Sequence, residues 1–149
     1  MKYREISKRK KSYNYELAET ISIQTGILGC NVEIPKFVKL TPDGILTVFA
    51  GYAWDGASGI PDSKITRTAS LIHDALYQLI REGLLSREQH RLAADNLFRD
   101  ICIARGGNKT IAGIYWQGLR WFGEKATYPV KNDLEPVIED KDIILRNVA

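Results

Sequence analysis

The stretch SKITRTASLIHDALYQLIREG, residues 63–83, decides how the rest of the chain is read. Its apolar positions Ile65, Ala69, Ile72, Leu76, Leu79 and Ile80 recur at helical spacing, and Asp62 or Ser63 stands where an N-cap belongs. Gly83 offers the left-handed residue that closes such a helix. The expectation is one helix from about Lys64 to Glu82. On it His73 and Tyr77, four residues apart, share a face, while Asp74 is turned by about 100° toward another neighbour.

Downstream the helical pattern repeats twice. Ser86-Arg87-Glu88-Gln89 resembles a capping box and opens a second helix reaching about Arg105, with Leu92, Leu97, Phe98, Ile101 and Cys102 as its buried side. Gly106-Gly107-Asn108 breaks the chain. A third helix from about Lys109 to Phe122 carries Ile111, Ile114, Tyr115, Trp116, Leu119 and Trp121, with Tyr115, Trp116 and Trp121 read as core and an exposed subset seated on a membrane interface or partner as the alternative; Gly123 ends it. The link Gly83–Ser86 is short, so the second helix must fold back against the first. Asp95 then lies at nearly the same height as His73, and the two can touch.

Upstream the period changes to two. From Tyr13 to Ile23 the odd positions are mostly apolar, which reads as one half-buried strand. Val32, Ile34, Val38 and Leu40 fall on even positions around Pro35, which marks an edge or a bend. Thr41-Pro42-Asp43-Gly44 is a turn, and residues 45–49 return, so about 32–50 reads as a hairpin. The whole is an α+β domain: a small N-terminal antiparallel sheet, a glycine-rich loop (residues 52–61) and a three-helix core. One domain spans 1–149, with a basic arm (1–12), a β part (13–52), a helical part (62–123) and a tail (127–149) in which Ile143-Ile144-Leu145 is the candidate docking segment.

Composition bounds the rest. The chain has 149 residues, 44% hydrophobic and 26% charged with net charge +3, which suits one soluble domain and no disulfide scaffold. Cys30 and Cys102 read as two reduced, buried side chains, with a single bridge as the alternative. No apolar run approaches the ~20 residues a bilayer span needs. No signal-peptide core follows the basic start, so exit from a cell would be by lysis, by a dedicated machine or inside a particle. Residues 2–11 can contact nucleic acid or anionic lipid, but such a run is more often a solvated arm.

A carboxylate against an imidazole fixes the ring's tautomer and leaves the other nitrogen to take a proton, so His73 with Asp95 can serve as a general base. The loop Trp54-Asp55-Gly56-Ala57-Ser58-Gly59 can turn backbone carbonyls toward one point. With Asp74, and Asp55 as a second carboxylate, it offers the oxygen donors that Ca²⁺ requires.

His73-Asp74-x-x-Tyr77, the glycine-containing loop before it and the Ala-Ala-Asp95-x-x-Phe98 context resemble the secreted phospholipase A(2) superfamily. The resemblance implies a phospholipase A(2)-like helical pair acting on phospholipid at a membrane surface. His73 would be the base, Asp95 its orienting acid, Tyr77 the support of that acid and Asp74 a calcium ligand. The backbone near Gly56 and Gly59 would complete the cation site. The sequence departs from that family: its paired cysteines are absent, Leu71, Ile72 and Leu76 occupy the neighbourhood, and the short spacing from His73 to Asp95 implies a reduced version of the fold. A second resemblance spans about residues 45–123. Asp55-Gly56-Ala57-Ser58-x-x-Pro61, Arg67, His73-Asp74-x-x-Tyr77 and Asp95-x-x-Phe98 are similar to an uncharacterised family of tailed bacteriophages and prophages. It implies a phage product, with other virion proteins as partners, and assigns no activity.

Other readings stand beside these. His73 and Asp95 can be a polar brace between two helices in a non-catalytic phage structural protein, and Asp55-Gly56 a tight turn. Ser58 lacks the strained elbow of a nucleophile. His90, in a charged stretch, reads as a surface residue. Zinc hydrolysis and His-Asp metal phosphohydrolases want further His or Cys ligands that the sequence does not offer.

Overall fold

The computed structural model describes residues 1–5, 15–56 and 59–129. The α+β expectation holds. Two small antiparallel sheets precede three helices. β1 (Tyr3–Glu5), β2 (Tyr15–Leu17) and β7 (Ala53–Trp54) form one sheet in the order β1-β2-β7. β3 (Ile21–Gln24), β4 (Val32–Ile34), β5 (Val38–Leu40) and β6 (Ile45–Val48) form the other, ordered β3-β6-β5-β4.

The strand expected over 13–23 is therefore two strands in two sheets; Tyr13 and Asn14 lie outside the described residues. The chain bends at Ala18–Thr20, where Leu17 N donates to Tyr52 O at 2.8 Å, Leu17 O accepts from Gly51 N at 2.7 Å and Thr20 Oγ1 accepts from Ala50 N at 3.0 Å. The bend spans three residues, so odd positions still face inward on both sides of it. The alternation survives while the pairing changes. The expected 32–50 hairpin is a three-strand meander. Ile34-Pro35-Lys36-Phe37 turns with Lys36 at φ 70°, and β4 lies at the sheet edge, where proline's missing donor costs no ladder bond.

α1 (Lys64–Arg81) is the central element. Ser63 caps it: its Oγ accepts from Thr66 N while Thr66 Oγ1 accepts from Ser63 N. From Thr68 to Ile80 every residue except Asp74 is buried. A helix enclosed on nearly all sides tolerates polar groups only with partners. Gln78 Oε1 accordingly accepts from Tyr52 OH at 2.9 Å, and Ser70 Oγ donates to Arg67 O at 2.8 Å.

α2 (Arg87–Ala104), capped by Ser86, runs antiparallel to α1: His73 meets Asp95, and Tyr77, one turn later, meets Arg91. Its buried stripe is Arg91, Ala94, Asp95, Phe98, Ile101 and Cys102. Leu92, expected inside, is 47% exposed, because it sits one position off that stripe. α3 (Lys109–Phe122) is capped by Asn108 and buries only Ala112 fully. Trp116 is half-buried, tied to α2 through Nε1 donating to Asn96 Oδ1 at 2.8 Å, and Tyr115 is half-buried beside it. Trp121, read as core, is 70% exposed. A short 3-10 turn, Glu124–Thr127, follows. Ile143–Leu145 and the rest of the tail beyond Pro129 lie outside the described residues, as does most of the basic arm.

Leu79, fully buried on α1, reports on the packing of this centre. Leu79→Ala is expected to lower stability by about 2–5 kcal/mol, through lost burial and the cavity left behind. Chemical denaturation checks it; a loss under about 1 kcal/mol would mean α1 is not the core element described.

Candidate functional site

Asp95 is wholly buried, and four groups from three helices converge on it. His73 Nε2 lies 2.7 Å from Oδ1, and Tyr77 OH donates to the same oxygen at 2.5 Å. Arg120 Nη1 donates to Oδ2 at 2.7 Å, and Arg91 Nε stands 3.9 Å from Oδ2. Arg91 also donates to Tyr77 OH at 3.3 Å and to the carbonyls of Leu119 and Arg120 at 2.7 and 2.8 Å. That last pair hooks the C-terminal end of α3 onto α2. Gly123 lets the chain pass close: a Cβ there would stand 2.8 Å from Tyr77 OH and 2.5 Å from Leu119 O.

The sequence-predicted trio His73, Tyr77 and Asp95 is thus brought together. Arg91 and Arg120 were missed. Arg91 precedes Asp95 by four residues on one helix, a spacing that signals an ion pair. Arg120 has no such signal, since it reaches Asp95 only because α3 docks there.

Burial resists charge on Asp95, yet the donors from His73, Tyr77 and Arg120 outweigh it, so its pKa lies below the ordinary carboxylate value. Burial likewise disfavours a charged His73, but the Asp74 and Asp95 carboxylates outweigh that and raise its pKa. Burial and the hydrogen bond to Asp95 push Tyr77 well above the usual phenol range, so it serves as a neutral donor. An ionised Asp95 only accepts, so Nε2 of neutral His73 carries the proton and Nδ1 bears the lone pair. Nδ1 lies 3.8 Å from Asp74 Oδ1, too far for a hydrogen bond.

His73, Asp74 and Tyr77 line a cavity of about 600 Å³. Its wall is mainly apolar, with Ile60, Phe98, Ile114, Leu119 and Phe122 contributing. Ile114 and Phe122 are also 63% and 79% exposed, so the rim opens to solvent and continues onto the face that carries Trp121.

The loop before α1 closes one side through Gly56 and Gly59, both at positive φ. A cluster at the helix start holds it there. Asp62 accepts from Tyr15 OH and from Arg67 Nε, and Arg67 Nη1 donates to Tyr3 OH at 2.5 Å. Gly56 packs so close that a Cβ would meet the Tyr15 ring at 3.1 Å. Asp55 is exposed and is not on the cavity wall; lost hydration, with the Asp74 charge second, raises its pKa. Ala57 and Ser58 lie outside the described residues. Among the described residues no group of three His, Cys, Asp or Glu side chains could hold a metal ion. Any cation here would depend on backbone oxygens beside Asp74 and Asp55.

The chain matches no protein-family model, no curated protein and no solved structure. The site must therefore be read from its own residues.

Asp95→Asn removes the charge that balances Arg91 and Arg120, and is expected to cost roughly 3 kcal/mol or more. The pH dependence has two limbs. Asp95, with a lowered folded-state pKa, stabilises above the unfolded carboxylate value and loses that contribution as pH falls through its folded value. His73, with a raised pKa, stabilises below about 6.5 and loses its contribution as pH rises through its folded value. Denaturation midpoints of wild type, Asp95→Asn and His73→Gln across pH 3–9 check this; an Asp95→Asn protein as stable as wild type near pH 6 would contradict it.

Proposed function

We propose that this chain is a hydrolase of lipid esters, phospholipase A(2)-like in its chemistry, in which His73 draws a proton from water at the inner end of the apolar cavity. The observation that carries the reading is the pairing of an oriented imidazole with an apolar, open-rimmed cavity. Asp95 holds Nε2, so the basic nitrogen is left for the cavity, where an acyl chain can lie along Ile114, Leu119 and Phe122. Asp95 also stabilises the imidazolium once the proton has moved, and Tyr77 keeps Asp95 in place.

The exposed aromatic face of Trp121 and Phe122 supports a lipid surface as the partner, since large apolar side chains at a cavity rim favour entry from an interface. Asp74, Asp55 and carbonyls near Gly56 and Gly59 fit the hard, anionic donor set that Ca²⁺ takes, and the mutual repulsion of the two carboxylates is what a cation would relieve. Bound there, Ca²⁺ would supply charge stabilisation to an ester carbonyl. The phage-family likeness of the loop and helix motifs is the ground for taking the protein as a phage product, released by lysis or carried in a particle. No helix among the described residues is long and apolar enough to cross a membrane.

One observation favours a second reading, a non-catalytic phage structural protein. Asp95 Oδ2 is already compensated by Arg120 with Arg91 nearby, as in a brace that needs no chemistry.

Fatty-acid release from mixed anionic and zwitterionic phospholipid vesicles, with Ca²⁺ or chelator, separates the two. Release is expected with Ca²⁺, falling about 10²–10⁴-fold in a folded His73→Gln variant. Its kcat/KM should rise with pH as His73 loses its proton, because only neutral His73 accepts the proton. No release from either lipid class, or release unchanged in His73→Gln, would favour the brace.

A further inference from the structure

A second pair of chemically active side chains lies apart from the cavity, since neither residue lines it. His90, expected on the open surface, is half-buried, and Cys30, expected to be buried, is half-buried beside it. Cys30 Sγ stands 3.6 Å from His90 Nε2. On the other side of the ring, His90 Nδ1 lies 2.9 Å from the Ser86 carbonyl oxygen. A carbonyl only accepts, so Nδ1 of the neutral ring carries the proton and Nε2 presents its lone pair to the thiol. The same sulfur lies 3.9 Å from Leu28 O, a longer contact to a less basic atom. His90 also ends the first turn of α2, where the amide dipoles favour negative charge nearby. A nucleophile, a base within reach and a third group fixing the base's tautomer make up the arrangement that activates a thiol.

We propose that Cys30 is a nucleophilic thiol with His90 as its base, and a site of reversible modification by low-molecular-weight disulfides. The thiol proton passes to His90 Nε2, and the thiolate attacks one sulfur of the disulfide. A Cys30–sulfur bond forms, the original S–S bond breaks, and the second sulfur leaves as a thiolate that takes up a proton. A metal is the poorer occupant, since two ligands do not make a site and no cluster of three exists among the described residues. Half-burial of both residues admits a small reagent. Cys102 is the built-in contrast: it is buried with no basic partner among the described residues, and burial pushes its thiol up to about 11.

The test treats the intact protein with oxidised glutathione at pH 7 and locates adducts by peptide mass spectrometry, in wild type and His90→Gln. The adduct is expected on Cys30 alone, at a rate about tenfold lower in His90→Gln. Wild-type Cys30 should also react faster than a synthetic peptide of residues 26–34 at the same pH, a comparison that holds even if His90→Gln misfolds. Reaction first at Cys102, equal rates in wild type and a folded His90→Gln, or a Cys30 no faster than the peptide would overturn the proposal.

Discussion

A carboxylate without access to water has to be surrounded by donors, and the burial of Asp95 imposes that demand on all three helices. His73 and Tyr77 answer from α1, Arg91 from α2 and Arg120 from α3. His73, Tyr77 and Arg120 lie within hydrogen-bond reach of Asp95 and Arg91 stands 3.9 Å away, so the helices cannot slide past one another without stranding a charge. The spacing on α1 follows: residues 73 and 77 are one turn apart and both must face α2. Arg91 then does double duty, holding Tyr77 and the last carbonyls of α3. Gly123 is the steric counterpart, leaving room for Tyr77 OH where any side chain would intrude.

The same constraint shapes the cavity. With the end of α3 pinned to α2 by Arg91 and Arg120, and its packing limited to Ala112 and half-buried neighbours, the rest of α3 stands away from α1. The space between them is the cavity, with Ile114, Leu119 and Phe122 on one wall and His73, Asp74 and Tyr77 on the other. Asp74 is the one residue in the middle of α1 that escapes full burial, and it does so at this opening. On the opposite side, the Tyr3–Tyr15–Asp62–Arg67 cluster ties the first sheet to the start of α1 and so sets where the glycine loop can lie.

Much of the helical part was legible because caps and periodicity are local signals. Ser63, Ser86 and Gly83 mark their boundaries directly, and the short link between α1 and α2 was enough to bring His73 to Asp95. What escaped depended on docking. An apolar stripe reads alike whether it meets a core or a cavity rim, so periodicity alone does not tell the exposed Trp121 from a core residue. Arg120 needed the placement of α3, which no local pattern encodes. The split of the 13–23 strand was hidden because the bend preserves the alternation. His90 looked superficial in a run of charges, yet a loop between β3 and β4 covers it. The loop before α1 was legible as a turn-forming segment because its glycines are a local signal, and Gly56 and Gly59 both take positive φ.

The central claim is that His73 presents a lone pair on Nδ1 to the cavity while Nε2–H is held by Asp95. The ¹⁵N chemical shifts of the His73 ring, recorded in labelled protein above the pH at which it titrates, test this most directly. A pyrrole-like Nε2 and a pyridine-like Nδ1 are expected, with that preference lost in Asp95→Asn. The opposite tautomer, with the proton on Nδ1 and directed at Asp74, would leave no base facing the cavity and would contradict the account.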